Sequence, residues 1–117
     1  MVNVFDGPGA LRVALRAIAG NLSFTWTPGA RALFADLDRV RFDALDHNPT
    51  ALLQELSDEE LAQALTPAYA ERVERVRAAL AAGAERETWW EQQQEAEGFL
   101  VAYFSCEFGL DESLPIY

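Results

Sequence analysis

At 117 residues the chain is one domain's worth of polypeptide, long enough to bury about two-thirds of its unfolded surface. Hydrophobic residues make up 50% of it and aromatic ones 11%, which separates it from disordered tails. The formal net charge is −10 and all nine basic residues are Arg. That balance argues against nucleic acid and anionic membrane surfaces as partners and leaves neutral ligands such as sugars open.

The absence of Lys removes specific chemistry. No side chain here can form a Schiff base with a carbonyl substrate or with pyridoxal phosphate, and no P-loop lysine exists. Cys106 is the single cysteine, so an internal disulfide is impossible; with His47 as the single histidine there is no zinc framework. His47 lies in a loop-like Asp-His-Asn-Pro segment with no nucleophile motif nearby. The N-terminus lacks the basic and apolar regions of a secretory signal. No apolar run approaches the roughly 18 residues needed to span a bilayer, so the expected compartment is the cytoplasm.

In chain order, Asp6-Gly7-Pro8 opens a first helix, because proline suits the first helical turn. Leu11, Leu15, Ile18 and Leu22 recur at helical spacing and form its apolar stripe, with Arg12 and Arg16 to one side. Thr27-Pro28 reads as the N-cap and first residue of a second helix that faces Leu33, Phe34 and Leu37 to the core. Phe24 and Trp26 fall in the connection, where large rings either pack against the core or stack on a sugar. Asn48-Pro49 opens a short helix carrying Leu52, Leu53 and Leu56. Ser57 and Glu60 form a capping box ahead of Leu61 and Leu65. Thr66-Pro67 opens the longest helix, with Tyr69, Val73, Val76 and Leu80 on one face and Gly83 as its stop. Its charges, including a Glu71–Arg75 pair, read as a solvated face. Residues 84–97 are polar apart from Trp89 and Trp90 and read as a short helix or a link.

Residues 99–104, Phe-Leu-Val-Ala-Tyr-Phe, are continuously apolar. That suits a strand covered on both faces, although periodicity alone also allows a helical turn. Gly98, Ser105 and the aromatic content favour the strand. Nothing earlier in the chain reads as a neighbouring strand, and a strand's backbone groups need one. The expected fold class is therefore mainly α: a helical bundle over residues 1–97, then one strand in residues 98–117 that begins a larger sheet. The expectation is that the chain is the N-terminal piece of a longer protein. Glu107 follows the apolar run, where ligands bind in open α/β sheets. It is the candidate substrate-cleft residue, the bland alternative being a turn cap or an Arg partner. Cys106 reads as a small buried residue rather than a nucleophile. Asp111 and Glu112 read as loop charges, or as a metal pair only with ligands from elsewhere.

The segment Tyr-Phe-Ser-Cys-Glu-Phe-Gly-Leu-Asp-Glu-Ser-Leu-Pro-Ile-Tyr that ends at Tyr117 closely resembles the text that opens the catalytic core of bacterial α-glucan (glycogen/maltodextrin-type) phosphorylases, AYFSAEFGLHESLPIY. Upstream, NLSFTWTPGARALFADLD is similar to the family's NLWWSWNPEARELFRRLD, and HNPTALLQELSDEEL fits the same helical region. The resemblance covers residues 15–117. Ser23 and Phe24 stand where the family has two tryptophans, which weakens any ligand role for that aromatic cluster. The resemblance implies a glycosyltransferase of the two-Rossmann-domain type. Such an enzyme uses pyridoxal phosphate as a phosphate-based acid/base and cleaves terminal α-1,4-glucosidic bonds with inorganic phosphate to give glucose 1-phosphate. It places residues 1–97 in an accessory domain and residues 98–117 at the start of the catalytic domain. It makes Glu107 a cleft residue with no acid or base duty assigned, so no catalytic, cofactor-binding or metal residue is expected in the chain. Glucan, phosphate and the remainder of the catalytic domain are the implied partners, and the chain alone is expected to be inactive. The alternative from the residues is a stand-alone acidic helical module that adds its C-terminal strand to a partner's sheet edge.

Overall fold

Pro8 starts the first helix, as expected, in a computed structural model that describes residues 4–93, 98, 101–104 and 111–113. Helix α1 runs Pro8–Ala19 and buries Leu11, Ala14, Leu15 and Ile18. The stripe stops there: Gly20 ends the helix, and Leu22 stands 68% exposed at the start of a 3-10 helix, Leu22–Trp26. The Asn21 side chain caps that turn by accepting from the Ser23 N–H. Phe24 packs inward while Trp26 stays on the surface, so core packing holds for only one of the two rings.

The second helix begins two residues later than Thr27-Pro28 predicts. Gly29 adopts φ 82°, ψ −12°, and the Ala30 N–H donates to the Thr27 carbonyl at 3.1 Å. Those are the features of a type II turn with proline second and glycine third. The Thr27 hydroxyl donates back to the Ser23 carbonyl at 2.7 Å instead of capping. Helix α2 is Ala30–Leu37, with Leu33 and Phe34 buried. A further helix, α3 (Arg39–Ala44), has Asp38 as its N-cap and was not foreseen. It ends with the Asp46 N–H on the Asp43 carbonyl and the His47 N–H on the Phe42 carbonyl, the paired bonds of a Schellman motif. Asp46 and His47 take the left-handed conformation there, at φ 51° and 58°.

The remaining helices start where expected. Helix α4 (Pro49–Glu55) is capped by Asn48. Helix α5 (Asp58–Ala64) carries the complete Ser57–Glu60 capping box. Helix α6 (Pro67–Glu85) is capped by the Thr66 hydroxyl and buries Tyr69, Val73, Val76 and Leu80. It runs through Gly83 rather than stopping there. Its charged side chains pair as Arg77–Glu74 and Arg72–Asp36, so Arg72 ties α6 to α2, and no Glu71–Arg75 pair forms among the described residues.

Helix α1 is the hub, packed on α4, α5 and α6, while α2 lies against α3, α4, α6 and the 3-10 helix. Phe34 is the centre of the α2 side. Phe24 meets it edge-on at 5.4 Å, and Phe42 stacks on it at 6.2 Å. The Tyr69 hydroxyl donates to the Leu33 carbonyl at 2.9 Å, and burial pushes its ionisation well above the ordinary range. Arg12 does not simply lie beside the stripe. Its guanidinium donates to the Leu53 and Leu56 carbonyls at 2.6 and 2.7 Å and to Asp58 at 2.9 Å. A cation there satisfies carbonyls at the end of α4 and complements its dipole, each effect contributing about 1 kcal/mol.

The expected strand is not seen. Among the described residues there are no strands, and residues 101–104 are irregular, with Val101 69%, Tyr103 77% and Phe104 92% exposed. A lone extended segment has no ladder to join, which is the condition the sequence pattern already implied. Phe99 and Leu100 lie outside the described residues. The polar link at residues 84–93 extends α6 to Glu85 and then turns, with Trp89 71% and Trp90 45% exposed.

Candidate functional site

Glu107, the cleft candidate, and Cys106 lie outside the described residues. What the structure does place is the turn just beyond them, residues 111–113, on the surface of the helical body. Asp111 builds that turn. Its Oδ1 accepts from the Ser113 N–H at 3.0 Å and from the Ser113 hydroxyl at 2.8 Å. Its Oδ2 faces the body, where it accepts from the Thr25 hydroxyl at 3.1 Å and pairs with the Arg31 guanidinium at 3.5 Å. The side chain is only 9% exposed, so Asp111 is not a free loop charge. Burial pushes its carboxyl upward, but the Ser113 and Thr25 hydrogen bonds and the Arg31 charge outweigh that and hold it below the ordinary 3.8.

Glu112 completes the contact. It pairs with Arg31 at 2.6 Å and with His47 Nδ1. The other ring nitrogen of His47 lies 3.0 Å from Asp43 Oδ1, and the ring packs edge-on against Phe42 at 5.2 Å. His47 is therefore fixed from three sides, by α3 through Asp43 and Phe42 and by the turn through Glu112. It is placed by the left-handed backbone that ends α3. Arg31, on the first turn of α2, is placed by the Pro28-Gly29 turn. Thr25 comes from the 3-10 helix.

Two depressions flank the docked turn. One, of about 220 Å³, is walled by Gly20, Asn21, Phe24, Thr25, Asn48 and Thr50 and closed by Asp111 and Ser113. The other, of about 470 Å³, lies along Gly29, Arg31, Arg39, Asp43 and His47. Among the described residues no group of His, Cys, Asp and Glu side chains is arranged to hold a metal ion; Asp111 and Glu112 both face Arg31. No described helix is long and apolar enough to cross a membrane.

The sequence did not point to Thr25, Arg31 or His47. Their partners lie 86, 81 and 65 positions away, respectively, and no local pattern carries such a pairing. The one available signal was the acidic Asp111-Glu112 pair itself, which needs cations in a chain with few of them.

Comparison with known proteins adds to this geometry. The family described as "Protein of unknown function (DUF3417)" matches residues 8–114. The chain is also similar to glycogen phosphorylases of Mycobacterium tuberculosis (strains CDC 1551 / Oshkosh and ATCC 25618 / H37Rv) and Mycobacterium bovis (strain ATCC BAA-935 / AF2122/97). It is 32% identical to each over 111 residues, which cover 89% of this chain and 13% of each relative. The chain thus spans about an eighth of the length of these curated relatives (13%). No solved structure matches.

Proposed function

The chain belongs to the DUF3417 family, and we propose that it serves as the N-terminal helical accessory region of an α-glucan phosphorylase. In this reading residues 1–97 are the accessory domain and residues 98–117 open the catalytic Rossmann-like domain, with residues 99–104 as its first strand. The complete protein cleaves terminal α-1,4-glucosidic bonds with inorganic phosphate, gives glucose 1-phosphate, and works in the cytoplasm. The observation that carries the reading is the similarity to glycogen phosphorylases along 89% of the chain. The exposure of Val101, Tyr103 and Phe104 supports it, because apolar side chains in an extended segment gain from being covered by a sheet and its flanking layers.

The chain's own residues do not fit a pyridoxal phosphate site. Covalent attachment of that cofactor needs a side-chain amine, and the sequence has no Lys. The amine that holds the cofactor therefore belongs to polypeptide outside these 117 residues, and in this reading the phosphate clamps and the reacting groups lie there too. What this chain contributes is Glu107 as a cleft carboxylate and a helical body against which the catalytic segment rests.

The same exposed segment favours one second reading, a stand-alone acidic module that adds residues 99–104 to a partner's sheet edge. A single experiment separates the two. The 117-residue chain and the polypeptide encoded by the reading frame continued beyond Tyr117 are each incubated with maltodextrin, phosphate and pyridoxal phosphate. The phosphorylase reading expects glucose 1-phosphate from the continued polypeptide and none from the 117-residue chain. A stop codon after Tyr117, or no product from a folded continued polypeptide, would sink it.

A further inference from the structure

The turn at residues 111–113 is held more tightly than a surface loop requires. Asp111 and Glu112 between them meet the Thr25 hydroxyl, the Arg31 guanidinium and the His47 ring. These come from separate pieces of the helical body: the 3-10 helix, α2 and the link after α3. One terminal nitrogen of the Arg31 guanidinium faces both carboxylates, 3.5 Å from Asp111 and 2.6 Å from Glu112, so a single cation serves the pair. His47 is held by Asp43 and Phe42 from behind. The molecule is strongly acidic, with 19 carboxylate side chains against nine Arg. An acidic turn therefore has few places on it where docking is not repulsive, and it occupies one that is built for carboxylates. Asp111 also spends its second oxygen on its own turn through Ser113, so the turn is pre-shaped where it meets the body.

We propose that Thr25, Arg31 and His47 form a carboxylate clamp through which the helical body positions the catalytic segment, making Arg31 and His47 positioning residues for phosphorolysis. This rests on the phosphorylase reading above. The clamp fixes the orientation of the 111–113 turn relative to α2 and α3. The cleft then inherits its geometry from a helical bundle that itself touches no substrate. Since a misplacement of about 1 Å can cost about a hundredfold in rate, the clamp acts on kcat rather than on glucan affinity.

The test has two arms. In the 117-residue chain, amide exchange of Ser113 is measured by NMR for the unmutated protein and for Arg31→Gln, Glu112→Gln and the double variant, with the amides of Val73 and Val76 as the control that the body stays folded. The clamp expects each single variant to speed Ser113 exchange at least threefold and the double variant to fall well short of the product of the two single effects, because the Arg31–Glu112 pair is shared. Unchanged exchange, or fully additive effects, overturns the clamp. In the continued polypeptide, Arg31→Gln and His47→Gln are expected to lower kcat at least tenfold with KM changed less than twofold, and Arg31→Lys to recover only part of the loss. Released docking with unaltered kcat overturns the positioning role. An unmutated continued polypeptide with no phosphorolysis overturns the function on which that role rests, and leaves the exchange result to decide the clamp.

Discussion

Asp111 shows how far one side chain can depart from what its neighbours in sequence suggest. Within the segment Leu-Asp-Glu-Ser it looks like a solvated charge, yet it is almost covered and accepts from Ser113 and Thr25 while facing Arg31. Its carboxyl is held below the ordinary value of 3.8, and the direction fixes a pH dependence. A group whose pKa is lower docked than undocked stabilises docking fully above the undocked value and loses that contribution as pH falls through the docked value. The contribution of Asp111 to docking is therefore fully present at neutral pH and is lost in acid. The NMR titration of the Asp111 carboxyl carbon is expected to show a midpoint below 3.8 in the unmutated chain. Arg31→Gln is expected to move the midpoint upward, because it removes one of the forces favouring the ionised form. A midpoint at or above the ordinary value would mean that the turn is not docked in solution. Asp38 and Glu60 are shifted in the same direction, each first by a backbone N–H it caps, from Arg41 and Ser57 respectively, and next by the Arg41 side chain that lies between them. Acid thus loosens the starts of α3 and α5 along with the turn.

The elements were legible where one local signal decided them and illegible where two signals competed. Asn48-Pro49, Ser57 with Glu60, and Thr66-Pro67 each combine a side-chain cap with a residue that suits the first turn, and each starts a helix in the structure. Thr27-Pro28 offers the same pair, but Gly29 follows it, and proline then glycine is also the central pair of a type II turn. The turn wins because it lets Phe24 and Phe34 meet. Helix α3 was missed because it is short, and its one large apolar contact, Phe42, makes no stripe. Leu22 kept the helical spacing of α1 but fell beyond Gly20, where the chain tightens into a 3-10 turn. The clamp residues escaped notice for a different reason: contacts across most of the chain's length leave no periodicity to read. Two glycines test the turn assignment with opposite signs. Gly29 sits at φ +82°, where a methyl group would only meet Val76 at ordinary contact distance, and Gly83 sits inside α6 with open space beside it. Gly29→Ala is expected to lower stability by about 1–2 kcal/mol, because an L side chain strains that conformation. Gly83→Ala is expected to raise it by about 0.5–1 kcal/mol, since alanine is the better helix residue. Thermal or urea unfolding of the two variants reads both signs. A stabilised Gly29→Ala protein would restore the helix that Thr27-Pro28 suggested.

At the scale of the whole molecule the helical body and the segment after it differ in kind. The body is a filled bundle: Leu11, Leu15, Leu52 and Leu61 are wholly buried, with Phe34 and Val73 beside them. No buried side-chain nitrogen or oxygen among the described residues lacks a hydrogen-bond partner. Beyond α6, Trp89, Val101, Tyr103 and Phe104 all face outward. Covering one large apolar side chain contributes about 1.5–3 kcal/mol, so this segment gains stability from any sheet that receives it. Among the described residues the bundle meets the turn at residues 111–113 through the Thr25 hydroxyl, the Arg31 guanidinium and the His47 ring. That division predicts a specific pattern of hydrogen exchange. In the 117-residue chain, the amides of Val101 to Phe104 are expected to exchange within seconds, while those of Leu15, Phe34 and Val73 are protected by the global stability of the bundle. In the polypeptide continued beyond Tyr117, the amides of Val101 to Phe104 are expected to slow by at least a hundredfold as they enter a ladder, with the bundle amides little changed. Strong protection of Val101 to Phe104 in a strictly monomeric 117-residue chain would mean that these residues are satisfied without a further sheet. The phosphorylase strand would then lose its rationale, because a segment already paired has no edge to offer.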